Sequence, residues 1–377
     1  MERRMARLYG KSVKKAELAR YVSNPEQLAG VRRATLEEGI GRGVEVAEVR
    51  TGGGLNFTVA LSRAMDIYDA AYCGRALAFL SPVGLAAPAF YEPEGQGWLR
   101  TFGGGLLTTC GLTYLGAPNV DEGEALGLHG RVSNLPASQV RITREWVRDD
   151  YEMRIEGEVT EARPVVGEFV RLKRKITARL GEARFFISDT VENFGYKRAP
   201  HMILYHFNLG YPLLSESARV VIPAQQNRPR DEAAQVEAEK WSEVLPPTAG
   251  FAERVYYHGP LKADAEERVT AALVNPELDD GLALYITFLR RQLPRLVQWK
   301  MCAAGNYVMG IEPANCWVGG RAEARAAGEL QFLEPGEVRN YELEVGVVSG
   351  AEALGALEER IRAMKKFTAK PQRAQRK

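Results

Sequence analysis

The sequence contains few cysteines and few histidines, and it has no long apolar run. Its 377 residues include four of each, and the cysteines stand singly, without a CxxC pair. Isolated cysteines are typical of reduced thiols and predict a cytoplasmic protein. No stretch is long and apolar enough to cross a bilayer, and the basic N-terminal segment lacks the apolar centre of a secretory signal. We therefore expect no membrane partner.

Several catalytic signatures are also missing. GxSxG, GxGxxG and GxxxxGK[ST] do not occur, which disfavours a nucleophile elbow, a dinucleotide fold and a phosphate loop. There is no cupin-like HxH pair, and no cysteine lies in a nucleophile signature, so metal and thiol catalysis are disfavoured as well. The enzyme class that remains transfers protons without a cofactor or a metal.

The net charge of +2 is unevenly distributed along the chain. Six basic residues and no acidic one lie between Lys365 and Lys377, which leaves the remainder at about −4. A mildly acidic body lacks the clustered Lys and Arg of a nucleic-acid surface, so no nucleic-acid partner is expected. The tail could touch a polyanion weakly, but a solvated disordered end is favoured.

The central part of the chain has the pattern of an antiparallel β-protein. Short apolar or alternating runs, separated by Gly, Pro and Asn, extend from about Gly43 to residue 348. In residues 151–159 the apolar side chains alternate with charged ones, which predicts a strand with one wet face. We predict an all-β fold in which residues 42–348 form one large β-sandwich.

Helices are expected at both ends of this sandwich. Residues 1–41 are predicted to form a helical appendage, in which Asn24 caps and Pro25 opens a helix. Residues 349–377 are predicted to form a last helix and the basic tail, with Ser349 and Glu352 as a capping box. Its apolar stripe consists of Leu354, Leu357, Ile361 and Met364. Residues 231–243 suggest a charged, helical insertion.

The stretch HMILYHFNLGYPLL, residues 201–214, is the strongest candidate for a working surface. In a strand His206 and Asn208 point to one face, and Tyr205 and Phe207 point to the other. An imidazole that exchanges a proton near neutral pH, beside an amide that donates and accepts hydrogen bonds, suits a polyhydroxylated ligand. The alternative is that His206 is a satisfied core residue.

Two other segments carry candidate groups. His129 lies between two glycines in GLHGRVSNLPA and shares a face with Arg131 if the segment is extended. Glu312, in NYVMGIEPAN, precedes Pro313, which favours extended backbone, and Gly310 leaves space beside the carboxylate. Glu312 is therefore either a base that faces a substrate or an exposed residue at a turn.

Taken together, these strings resemble the aldose 1-epimerase (galactose mutarotase-like) superfamily. The chain carries LHG at 128–130, FNL at 207–209 near a histidine, GIEP at 310–313 and LEPGE at 333–337, in the order of the family. TFGGGLLTTCGL and QWKMCAAGNYVMGIEPAN look like a less characterised branch of it. Over residues 45–348 the resemblance implies an antiparallel β-supersandwich whose concave face holds a sugar without a cofactor.

The resemblance also implies a mechanism. Glu312 would take the proton of the anomeric hydroxyl, His206 would protonate the ring oxygen, and His129 would bind or polarise the sugar. At pH 7 a carboxylate is ionised and an imidazole can donate, so each group would begin in the useful state. Better-known members carry HSYFNL, which puts Leu204 at their histidine and His206 about 6.6 Å further along the same face.

The chain offers no match for the aspartate with which such proteins usually hold the sugar. Arg63, Arg131 and Lys300 are predicted to replace it, and their charge suggests an acidic or phosphorylated sugar. Asn208 and Asn315 complete the predicted binding set. Trp299 either stacks on the sugar or belongs to the core. Besides a mutarotase, the residues allow an isomerase or lyase acting on an oxidised sugar, or a carbohydrate-binding protein without catalysis.

Overall fold

The computed structural model describes residues 6–165 and 167–364. The strands of this part of the chain are β1 Ala6–Leu8, β2 Lys11–Val13, β3 Gly30–Thr35, β4 Glu45–Arg50, β5 Leu55–Ala60, β6 Asp66–Tyr72, β7 Arg75–Ala76, β8 Leu107–Leu112, β9 Asn119–Asp121, β10 Glu124–Leu126, β11 Ser138–Val147, β12 Asp150–Ala162, β13 Phe169–Arg179, β14 Arg184–Asn193, β15 Ala199–Leu209, β16 Arg219–Val221, β17 Ala224–Pro229, β18 Arg254–Leu261, β19 Arg268–Asn275, β20 Leu282–Leu289, β21 Arg295–Ala303, β22 Asn306–Ala314, β23 Gln331–Leu333 and β24 Val338–Ser349. The α-helices are α1 Lys15–Leu18, α2 Glu232–Gln235, α3 Arg321–Ala326 and α4 Ala351–Arg362. Turns of 3₁₀-helix cover Pro25–Gln27, Gly39–Gly41, Pro88–Phe90, Gly97–Thr101, Val132–Asn134 and Ala238–Lys240.

Two large antiparallel sheets form the molecule. The larger sheet has 12 strands, in the order β17-β18-β21-β22-β15-β8-β6-β5-β4-β3, with β23 beside β15 and β7 beside β6. The smaller sheet has eight strands, in the order β11-β12-β13-β14-β24-β20-β19-β16. The prediction of an all-β antiparallel fold is confirmed. Among the described residues no helix is long and apolar enough to span a membrane.

The main core lies between the two sheets. Apolar side chains from both sheets are buried there, and Phe57 of β5 meets Phe185 of β14 with ring centroids 4.5 Å apart. In residues 151–159 every second side chain is buried and those between are half-buried, as the alternating pattern predicted. The smaller sheet thus covers the inner face of the larger one.

Strand β15 lies near the middle of the larger sheet, between β8 and β22, and all of its residues are buried. Tyr205 and Phe207 point into the main core. Met202 and Leu204 point the other way, into a separate apolar cluster that contains Trp98 and Phe102. The predicted division of the strand into two faces is confirmed, and we call the face of Met202 and Leu204 the cavity face.

A buried polar network joins the two sheets beneath β15. Arg174 of β13 binds Asp189 of β14 at 2.7 Å and Asp66 of β6 at 2.8 Å. The hydroxyl of Tyr205 donates to Asp189 at 2.8 Å, and Arg174 also donates to the hydroxyl of Thr109 at 2.9 Å. Because buried charges cost free energy unless they are paired and hydrogen-bonded, this network specifies how the sheets align.

The prediction of an N-terminal helical appendage is wrong. Helix α1 is a single turn, and Asn24 accepts a hydrogen bond from Glu26 N at the start of a short 3₁₀ turn. Residues 30–35 then form β3, an edge strand of the larger sheet in which Val31 pairs with Val49. Pairing with β4 overrides the local helical pattern, so the sandwich begins before residue 42.

The C-terminal helix was predicted more accurately. Helix α4 buries Leu354, Leu357 and Ile361 of the predicted apolar stripe, and Met364, also buried, follows the end of the helix. Gly350 occupies the N-cap without a side-chain bond, so the Ser349–Glu352 capping box is wrong. The charged insertion contains helix α2 and a 3₁₀ turn, as predicted. The basic tail, Lys365 to Lys377, lies outside the described residues.

Candidate functional site

A cavity of about 700 Å³ opens on the cavity face of the larger sheet. Strands β15, β21 and β22 supply part of its wall, and the loops after β7 and β10 supply another part. Its lining includes Trp98, Phe102, His129, His206, Arg230, Glu253, Trp299 and Glu312.

His206 and Glu312 meet at the floor of this cavity. Strands β15 and β22 are antiparallel neighbours in a register that places these two residues opposite each other, between the pairs Leu204–Ala314 and Phe207–Ile311. Nε2 of His206 lies 3.3 Å from Oε1 of Glu312. The structure therefore brings together the two groups that the sequence singled out as acid and base.

Gly310 provides the room that Glu312 needs. A Cβ atom at this position would overlap Oε1 of Glu312 and would lie 2.9 Å from Cβ of Trp299. Real Cβ atoms essentially never approach so closely, so a larger residue would displace the carboxyl group or the indole. The space that the sequence suggested beside the carboxylate is present.

His129 faces His206 from the loop that contains LHG. Its backbone has φ +57°, in the left-handed region, and its ring centroid lies 5.8 Å from that of His206 and 4.9 Å from that of Trp98. Within the described residues, Nδ1 of His129, Nδ1 of His206 and Oε1 of Glu312 have no hydrogen-bond partner. Buried polar atoms are normally satisfied, so three orphaned atoms at one cavity indicate a polar ligand.

Burial shifts the protonation of these groups toward their neutral forms. It raises the pKa of Glu312 well above its ordinary value, with Glu253 adding to the rise and Arg230 opposing it. It lowers the pKa of His206 to about 3, with His129 adding to the fall and Asn208 opposing it. Both shifts work against the starting states that the sequence predicted at pH 7, an ionised Glu312 and a His206 that can donate a proton.

An ion-paired cluster at the rim orients Trp299. Arg230 binds Asp231 at 2.7 Å and Glu253 at 3.0 Å. Glu253 in turn accepts a hydrogen bond from Nε1 of Trp299 at 2.9 Å. The indole stands edge-on to His206, with centroids 5.6 Å apart, and forms a cavity wall. Sequence reasoning missed Arg230 and Glu253, since neither lies in a motif; the charged stretch that begins at Asp231 was the only signal.

Two of the predicted substrate-binding cations are occupied elsewhere. Arg63 is buried and donates to the backbone carbonyls of Ser133, Ala86 and Thr101. Lys300 is buried on the opposite face of β21 from Trp299, and its Nζ donates to the carbonyl of Lys240 at 2.8 Å. The prediction that they bind the substrate is wrong, because both side chains are committed to holding loops.

Arg131, Asn208 and Asn315 also do not line the cavity. Arg131 lines a different cavity of about 710 Å³ beyond the LHG loop. Asn208 shares the cavity face but donates to the carbonyls of Gly105 and His206, both at 3.0 Å.

Asn315 clamps β15 by accepting from the backbone N–H of Ile203 and donating to the carbonyl of His201. Arg131, Asn208 and Asn315 were predicted to bind the substrate, but none of them lines the cavity at His206; the two asparagines hold backbone around the site.

The arrangement is suited to moving a proton between two oxygen atoms of a ligand. An acid and a base, both buried, lie side by side at the floor of the cavity, where electrostatic and hydrogen-bonding effects are stronger than in water. Over residues 6–165 and 167–364, no group of three or more His, Cys, Asp or Glu side chains is arranged to hold a metal ion.

Comparisons with known proteins agree with this architecture. A family model described as "Domain of unknown function (DUF4432)" matches residues 41–347. The solved structure of a protein named "putative aldose 1-epimerase" from Klebsiella pneumoniae subsp. pneumoniae MGH 78578 is 27% identical, with a TM-score of 0.85 over 90% of each chain. No curated protein matches the sequence.

More distant structures share the fold. A galactose mutarotase-like protein from Clostridium acetobutylicum is 11% identical with a TM-score of 0.61, over 86% of this chain and 99% of that one. Galactose 1-epimerase from Lactobacillus acidophilus NCFM is 13% identical with a TM-score of 0.54, over 85% and 99%. The fold is galactose mutarotase-like, so the supersandwich that the motifs implied is confirmed.

Proposed function

This chain belongs to the DUF4432 family, and from its fold and its cavity we propose that it is a cofactor-independent aldose 1-epimerase, which interconverts the anomers of a sugar. The observation that carries the proposal is the 3.3 Å contact between Nε2 of His206 and Oε1 of Glu312 at the floor of a sugar-sized cavity. The four cysteines are free, which supports a site of action in the cytoplasm.

The proposed reaction needs one acid and one base. Glu312 removes the proton of the anomeric hydroxyl while His206 gives a proton to the ring oxygen; the bond from the anomeric carbon to the ring oxygen breaks, and a carbonyl forms. Rotation about the next carbon–carbon bond presents the other face, and ring closure returns both protons. No atom is oxidised or reduced.

These roles require one preparatory transfer. Because burial favours the neutral forms of both groups, we propose that a proton passes from Glu312 to His206 across the 3.3 Å contact as the sugar binds. Hydroxyl groups that hydrogen-bond to the carboxylate would favour this transfer, because they stabilise its charged form. His129, whose Nδ1 is unsatisfied, is placed to bind a hydroxyl or to polarise the ring oxygen.

The aromatic walls support a sugar as the ligand. Trp98, Phe102 and Trp299 surround the two catalytic groups, and the Trp299 indole is held in place by Glu253. Such rings can cover the apolar face of a pyranose while the histidines and Glu312 meet its hydroxyls.

The test is anomer exchange, followed by polarimetry or by NMR of the anomeric proton across a panel of aldoses. We expect exchange faster than the spontaneous rate for at least one sugar, and a loss of about 10²- to 10⁴-fold in Glu312→Gln, since this change removes the proton-transfer group. Glu156→Gln, on the outer face of β12, is the matched control and should leave the rate unchanged.

The same experiment separates the alternatives. In deuterated water, an isomerase or lyase acting on an oxidised sugar would exchange a carbon-bound proton beside the carbonyl, whereas a mutarotase would not. If no sugar exchanges faster than spontaneously, and Glu312→Gln weakens sugar binding alone, the protein binds carbohydrate without catalysis and the proposal is refuted.

A further inference from the structure

A second cavity of about 540 Å³ adjoins the one at His206. Three side chains line both cavities and so form the wall between them: Arg228, Tyr257 and Trp317. The rings of Tyr257 and Trp317 stack with centroids 4.6 Å apart. The guanidinium of Arg228 lies 5.0 Å from the Tyr257 ring. The two cavities are therefore neighbours, and Arg228 lies at their boundary.

The walls of this second cavity are strongly positive. They include Arg228, Arg290, Arg291 and Arg295 but a single carboxylate, that of Glu267. Arg290 is neutralised by Glu267 at 2.6 Å, and Arg295 by a glutamate outside the cavity, Glu329, at 2.9 Å. Across the described residues, Arg228 and Arg291 have no hydrogen-bond or ion-pair partner. Two guanidinium groups therefore keep their donors free for a ligand.

The first cavity does not supply a counter-charge of similar strength. Glu253 is paired with Arg230 at 3.0 Å. Glu323, on the same wall, is exposed and its carboxylate has no hydrogen-bond or ion-pair partner among the described residues. Glu312 faces the histidines. The positive field is thus concentrated at Arg228 and beyond it.

We propose that Arg228 and Arg291 form an anion subsite, which binds a phosphate or carboxylate group carried by a sugar whose ring lies in the first cavity against His206 and Glu312. The inference rests on the proposed function and specifies its substrate class. A guanidinium presents its N–H groups in a planar fork that matches a phosphate or carboxylate oxygen pair, and it stays charged at every physiological pH.

The sequence suggested that Arg63, Arg131 and Lys300 select an acidic or phosphorylated sugar, whereas this subsite assigns that preference to other residues. Arg63 and Lys300 donate to backbone carbonyls, and Arg131 faces another cavity. The cations that can meet a substrate are instead carried by β17 and by the turn between β20 and β21.

The experiment compares the anomer exchange of glucose 6-phosphate, glucuronate and glucose. We expect kcat/KM to be higher for at least one anionic sugar, and the ratio of anionic to neutral kcat/KM to fall about tenfold or more in Arg228→Met and in Arg291→Met. The loss of kcat/KM for the anionic sugars should come from a higher KM. Arg42→Met, on an exposed loop, is the control and should leave the ratio unchanged. A preference between the two anionic sugars identifies phosphate or carboxylate as the group recognised.

Two outcomes overturn the subsite. If glucose exchanges as efficiently as the anionic sugars and neither arginine variant changes the ratio, the subsite fails while the proposed function stands. If no sugar exchanges faster than spontaneously, the proposed function fails. Calorimetry of glucose 6-phosphate binding then tests whether the anion subsite exists. Binding that weakens about tenfold in Arg228→Met then supports it, and binding that is absent or unaltered refutes it.

Discussion

Replacement of Arg174 by methionine should destabilise the fold severely. Arg174 is fully buried, and its guanidinium binds two carboxylates, Asp66 and Asp189, together with the carbonyl of Ala64 at 3.1 Å. Methionine fills similar space but leaves both carboxylates buried without a cation. Removing one partner of a buried ion pair costs about 3–5 kcal/mol, and we expect a loss of that size in the free energy of unfolding.

The pH dependence of the loss gives a sharper test. Burial already raises the pKa of Asp66, and Arg174 opposes that rise. Without Arg174 the folded-state pKa of Asp66 should lie further above the unfolded value near 3.9. A carboxyl group with a raised folded pKa stabilises the fold at low pH and loses that contribution as the pH rises through the folded pKa. The deficit of Arg174→Met should therefore be smaller at pH 5 than at pH 8.

Urea unfolding followed by tryptophan fluorescence and circular dichroism measures both effects. The midpoint should fall with an unchanged slope. The matched control is Arg171→Met, three residues away on the solvent face of β13, where the pairs with Glu158 and Glu192 are partly exposed and worth at most about 1 kcal/mol. If Arg174→Met loses no more than this control, or loses equally at both pH values, the buried network does not stabilise the fold as described.

Two further predictions concern the site and the histidines. Gly310→Ala should reduce anomer exchange by about tenfold or more, because the added Cβ displaces the carboxyl group of Glu312. The control is Gly355→Ala, in open space on α4, which should leave the rate unchanged. Equal rates in the two variants would contradict the packing argument. The stability of the fold should fall as the pH is lowered from about 6.5 to 4, since burial lowers the pKa of His201 and of His258 to about 4 while unfolded histidine binds its proton near 6.5. Melting temperatures at pH 7 and pH 5 test this, and a flat profile would contradict it.

The sequence predicted those features that depend on local alternation. The two faces of β15 and the position of Glu312 beside Gly310 follow from a period of two, so a single strand contains all the information that they require. The register between β15 and β22, which makes His206 and Glu312 neighbours, depends on pairing across about a hundred residues; the family motifs implied that the two groups meet at one sugar, but not this register.

The wrong predictions have the same physical origin. The stretch containing Val31 has a helical spacing of apolar residues, but it joins a sheet because a distant strand, β4, offers it hydrogen bonds. Arg63 could not be recognised as structural, because the three carbonyls it binds come from separate loops. The wrong prediction for Lys300 was avoidable, because alternation along β21 puts this residue on the opposite face from Trp299.

The two-sided burial of β15 has a consequence for how this protein can change. His206 lines the cavity and Met202 and Leu204 pack in the apolar cluster beside it, whereas odd-numbered positions from Ile203 to Phe207 hold the sheets together. Substitutions at Met202 and Leu204 can therefore reshape the surroundings of the cavity while His206 and the contacts between the sheets stay in place. A single-residue insertion would exchange the two sets and abolish folding and recognition at once.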